Sequence, residues 1–73
     1  MEELGTTVLM RRRKLGLTQQ ELADLCGVGV VFVYELEKGK PTVRLDKLLD
    51  VLEALGLQLV VRAGAPTLAF EVS

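Results

Sequence analysis

Four stretches of this chain place apolar residues at helical spacing, and the fifth switches to strict alternation. Leu22, Leu25 and Cys26, with Ala23 beside them, form one stripe, and Phe32, Val33 and Leu36 form the next. Upstream, Leu4, Val8 and Leu15 recur through a polar segment. Downstream, Leu45, Leu48, Leu49, Leu52 and Leu55 stand opposite Asp46, Lys47, Asp50 and Glu53, the two-sided pattern of a helix lying on a core. From Leu57 the period becomes two: Leu57, Leu59 and Val61 alternate with Gln58, Val60 and Arg62, which predicts a strand.

The boundaries carry their own chemistry. Thr18 and Glu21 have the spacing of a capping box, so a helix is expected to begin at Gln19. Gly27 supplies a left-handed stop, Val28 is the apolar residue of the turn, and Gly29 occupies the cap of the following helix. Gly39 ends that helix, Thr42 is read as the cap of the fourth, and Gly56 as its stop. Two short helices joined by one tight glycine turn have the layout of a helix-turn-helix, a device for reading DNA. Helices this short do not stand alone in water, so the flanking helices must pack on them. The expectation is an all-α domain of four helices over residues 1–56, followed by a strand and tail over 57–73.

A lone strand leaves its backbone groups unpaired, and two partners present themselves. One is the same strand of a second subunit, with Leu57, Leu59 and Val61 in the dimer contact. The other is a hairpin with residues 67–72, where Leu68, Phe70 and Val72 also alternate and Ala63-Gly64-Ala65-Pro66 provides the turn. Both can hold at once.

Composition narrows the function classes. A chain of 73 residues builds one small core. It has no histidine, the commonest catalytic base and metal ligand, and its single cysteine, Cys26, sits on an apolar helix face without a partner. No enzyme, metal or cofactor is therefore expected. With no signal peptide and no apolar run of the roughly 20 residues a membrane span needs, a cytoplasmic protein is expected. The net charge of −1 argues against nucleic acid until its distribution is considered. Residues 11–47 hold eight basic side chains (Arg11, Arg12, Arg13, Lys14, Lys38, Lys40, Arg44 and Lys47) against five acidic ones. The helix-turn-helix segment is locally positive.

Gly16-Leu17-Thr18-Gln19, Leu22-Ala23, Gly27-Val28 and Leu36-Glu37-Lys38-Gly39-Lys40 together resemble the phage-repressor-like family of helix-turn-helix regulators over residues 4–56. Within it, Gly27-Val28-Gly29, Phe32-Val33 and the run from Glu37 to Lys47 are similar to antitoxins of HipB type. Such antitoxins neutralise HipA-type Ser/Thr kinase toxins and repress their own operons as dimers. The resemblance implies a homodimer on double-stranded operator DNA, with a HipA-like kinase as protein partner. It places Gln19 on a phosphate and Lys38, Lys40 and Arg44 on flanking phosphates, contacts that position the protein without reading sequence. It also pairs Arg12, which falls close to the apolar stripe of the first helix, with Glu37 at the end of the reading helix.

The resemblance also places Gly29, Val30, Val31 and Tyr34 at the reading positions, where regulators of this type usually carry Ser, Gln, Arg or Asn. Valine has no hydrogen-bonding group, so bidentate contacts to guanine or adenine are excluded there. Three uses of this apolar face remain open: packing on thymine methyl groups, binding a protein, or packing against the chain's own tail. The alternatives to an antitoxin are accordingly a stand-alone regulator or a helix-turn-helix interaction module with weakened DNA binding.

Overall fold

The computed structural model describes residues 2–61, 63 and 68–72. Four helices, α1 (Glu2–Lys14), α2 (Gln19–Cys26), α3 (Val30–Glu37) and α4 (Leu45–Ala54), are followed by strands β1 (Leu57–Val61) and β2 (Leu68–Val72). No helix among the described residues is long and apolar enough to cross a membrane.

The capping box forms as read: the Thr18 hydroxyl accepts from the Glu21 amide at 3.0 Å, and the Thr18 amide donates to Glu21 Oε1 at 2.9 Å. These bonds satisfy two amides that a helix start otherwise leaves unpaired. Gly27 closes α2 at φ 70°, a left-handed conformation costly to any residue with a Cβ. Gly29 is the N-cap of α3, with extended backbone and no side-chain cap.

The core draws Leu4 and Val8 from α1, Leu22 and Ala23 from α2, Val33 and Leu36 from α3, and Leu48, Val51, Leu52 and Leu55 from α4. Phe32 and Cys26 are half-buried against it. Four leucines expected to face inward do not: Leu15, Leu25, Leu45 and Leu49 are exposed. Leu15 lies beyond the end of α1, and Leu45 is the first residue of α4. In α4 two overlapping stripes fit the helical period, 45/48/49/52 and 48/51/52/55, and the second is the one buried. The C-terminal half of α4 is the part gripped, because Arg11 Nε donates to the Leu55 carbonyl at 2.9 Å and β1 packs against the helix. Thr42 does not cap α4. The helix begins three residues later with Arg44 at the N-cap, and no side chain caps it.

The strand finds its partner within the chain. β1 and β2 pair antiparallel, with Leu57 opposite Val72, Leu59 opposite Phe70 and Val61 opposite Leu68. Residues 64–67, most of the expected connecting turn, lie outside the described residues, as do Arg62 and the side chains of Val61, Leu68, Phe70 and Val72. Leu57 is buried within the chain and Leu59 packs half-buried against the core, so these residues are already part of the single-chain core.

Candidate nucleic-acid interface

The start of α1 approaches the end of α3 closely enough to exclude any side chain at Gly5. A Cβ built there would stand 2.5 Å from the Leu36 carbonyl oxygen and 2.7 Å from that of Glu37, inside van der Waals contact with backbone. Gly5 thereby seats α1 against the last turn of α3. Nothing in the hydrophobic pattern marks it, since a glycine in a polar segment contributes no periodic signal.

One turn of contacts further, a buried ion pair fixes the same end of α3. Arg12 Nε donates to Glu37 Oε2 at 2.7 Å and Arg12 Nη2 to Glu37 Oε1 at 3.0 Å, a two-pronged contact of guanidinium with carboxylate. The side chains are 10% and 4% exposed. Arg12 Nη1 donates to the Leu17 carbonyl at 2.8 Å, and Gln19 Nε2 donates to Glu37 Oε1 at 3.1 Å. Hydrogen bonding to Glu37 raises the Arg12 pKa against the opposing effect of burial, so the guanidinium stays charged. The Glu37 carboxylate thus joins α1, the first residue of α2 and the last residue of α3, and Arg12 adds the loop before α2. The Gln19 link was not legible from spacing. Its amide, expected on a phosphate, is held here by Glu37.

The opposite side of α3 faces outward. Val30, Val31 and Tyr34 are all exposed, and a Cβ at Gly29 would meet nothing within 4 Å. The Tyr34 hydroxyl accepts from Lys38 Nζ at 3.1 Å, and that ammonium also stands 5.1 Å from the ring centroid. Lys40 pairs with Glu35 at 2.7 Å, and Arg44 pairs with Asp46 at 2.7 Å. Arg44 holds the Asp46 carboxyl below its ordinary value, with help from the Lys47 amide. Each expected phosphate-binding cation therefore has an acceptor in its own chain. Exposed pairs of this kind are worth little, so a phosphate oxygen can replace the carboxylate or hydroxyl at small cost. Arg13 and Lys14, at the end of α1, make no such contact among the described residues.

The arrangement is that of a short exposed helix, braced from behind by a buried ion pair and flanked by exchangeable cations. Residues 8–61 match the helix-turn-helix family. The chain belongs to the helix-turn-helix family. A relative in Sinorhizobium fredii, described as an uncharacterized HTH-type transcriptional regulator, is 41% identical over 61 residues, which cover 84% of this chain and 80% of the relative. Within this helix-turn-helix protein α2 and α3 are the two packed helices of the motif, with α1 packed on α3 and α4 packed on α2. Among the described residues no group of His, Cys, Asp or Glu is assembled to hold a metal.

Proposed function

We propose that this protein is a DNA-binding transcriptional regulator that seats α3 in the major groove and contacts flanking phosphates with Lys38, Lys40 and Arg44 and with the second N–H of the Gln19 amide, the one Glu37 does not take. The observation that carries the reading is the braced, outward-facing α3 with exchangeable cations at its C-terminal end. Family membership and the regulator description of the relative support it. The test is a titration of the full chain with duplex DNA from upstream of its own coding region at several salt concentrations. Affinity is expected to fall linearly with salt on logarithmic axes, as phosphate contacts displace counterions. A chain that binds no duplex at low salt contradicts the reading.

The regulator acts as a homodimer in this proposal, because one unit touches a half-site while two reading helices about 34 Å apart meet successive major grooves. A two-stranded hairpin keeps an unpaired outer edge on each strand, and joining such edges across a two-fold axis extends the sheet. Leu59→Lys, with its fold checked by circular dichroism because Leu59 also packs on the core, is expected to give folded monomers in sedimentation with weakened operator binding; an intact dimer removes the hairpin from the interface.

The finer reading is an antitoxin that represses its own operon and binds a HipA-like Ser/Thr kinase. It is supported by the run from Glu37 to Lys47 together with Gly27-Val28-Gly29 and Phe32-Val33. Co-purification with a kinase-like product of an adjacent gene tests it, and a free-standing regulator yields no such complex.

A further inference from the structure

The exposed face of α3 leaves little choice in what it can recognise. Val30 is 36% exposed and Val31 is 62% exposed, and Gly29 beside them leaves open space. The acidic groups of the helix are committed elsewhere, Glu35 to Lys40 and Glu37 to Arg12. At the leading end of α3 the protein thus offers two isopropyl groups and no polar side chain. Base edges in the major groove carry hydrogen-bond donors, acceptors and one apolar group, the C5 methyl of thymine. Valine set against guanine N7 and O6, adenine N6 and N7, or cytosine N4 would strip water from polar atoms without replacing it. Only the methyl group gains from the contact.

We infer that Val30 and Val31 read thymine C5 methyl groups, so that the half-site of this protein is defined at those positions by methyl groups in place of hydrogen bonds. The inference rests on the DNA-binding reading above and names what that site selects. Tyr34, whose hydroxyl accepts from Lys38, keeps its own proton to donate to an acceptor on a neighbouring base or phosphate. Because recognition depends on the methyl group alone, 5-methylcytosine satisfies the same contact as thymine. Unmodified cytosine and uracil do not.

The test begins with selection of binding sites by the full-length protein from random duplexes. Each thymine of the selected site is then replaced singly by deoxyuridine, which removes the methyl group and keeps every hydrogen bond. At the positions facing Val30 and Val31, affinity is expected to drop about fourfold per methyl, the scale of burying one such group. Replacing the same T·A pair by 5-methylcytosine·G is expected to restore it. The double variant Val30→Ser, Val31→Ser changes only exposed side chains, and is expected to keep its fold by circular dichroism while losing the deoxyuridine effect.

A selected site indifferent to every deoxyuridine replacement overturns the inference, as does a double-serine variant with the full wild-type profile. Either result leaves DNA binding standing. A wild-type chain that retains no duplex at all overturns both readings, and points to the valine face as a protein contact.

Discussion

The Arg12–Glu37 and Arg44–Asp46 pairs have the same N–O separation, 2.7 Å, yet they stand in opposite environments. The first has side chains 10% and 4% exposed and lies where α1, α2 and α3 meet. The second has side chains 68% and 65% exposed, at the start of α4. Distance alone therefore says little about what an ion pair does. Behind α3, both charges have left water, and each remaining donor and acceptor must be met from within the protein, as Leu17 and Gln19 do here. At the start of α4 both charges keep most of their hydration, and the guanidinium can change partners. One pair holds α3 in place, and the other keeps a cation available at the surface.

Breaking the buried pair from one side is expected to have the largest effect. Glu37→Ala leaves Arg12 buried without its carboxylate and Gln19 without its acceptor, a loss of about 3–5 kcal/mol in urea unfolding. Natural domains are stable by about 0.05–0.15 kcal/mol per residue, so this takes much of the total. Replacing both partners, Arg12→Met with Glu37→Leu, is expected to cost less than either single change, because no charge is left stranded. Additive losses in that cycle contradict a coupled pair.

Next comes Gly5→Ala, where a methyl group must displace the backbone carbonyls of residues 36 and 37. Alanine gains nearly 1 kcal/mol of helix propensity, but overpacking against backbone outweighs it, for a net loss of about 2 kcal/mol. A stabilised variant in the same unfolding experiment rules out the close approach. Lys40→Ala and Arg44→Ala belong to the exposed side of the comparison: unfolding midpoints are expected to stay unchanged, while the salt dependence of DNA binding falls by about one counterion for each. Unaltered salt slopes in both variants remove these residues from the interface.

The smallest effect concerns pH. The Thr18 amide, and then its hydroxyl, hold the Glu21 carboxyl below the ordinary value. A carboxyl whose pKa is lower in the folded state contributes fully above its unfolded value and loses that contribution as pH falls through the folded one. Stability is thus expected to decline on acidification through the carboxylate range, with Glu21→Gln showing a shallower decline. Identical pH profiles for the two chains contradict the cap's contribution.

The elements that local chemistry sets were legible in the sequence. Thr18 and Glu21 declare the start of α2, Gly27 its end, and Phe32, Val33 and Leu36 the inward side of α3. Family resemblance supplied the Arg12–Glu37 pair, which the structure forms. What remained hidden depends on how elements meet. Two stripes of α4 fit one helical period, and the packing of α2 and β1 on the helix, with the grip of Arg11 on its far end, chose between them. Alternation over 57–61 and 68–72 offered β1 two partners, a second subunit and a hairpin, and the chain forms the hairpin. Gly5 and the Gln19–Glu37 bond arise from contacts between distant segments, for which spacing along the chain has no signature.

We propose that the outward side of α3, with the cations around it, meets DNA while α1 and α4 support it from behind. Titrating isotopically labelled protein with duplex DNA and following each backbone amide by NMR tests this most directly. The largest shifts are expected on Gln19, on residues 29–34 and on residues 38–44, with Leu48, Val51 and Leu52 of α4 nearly still. Shifts concentrated on α4 or the hairpin, with residues 29–34 unmoved, would contradict it.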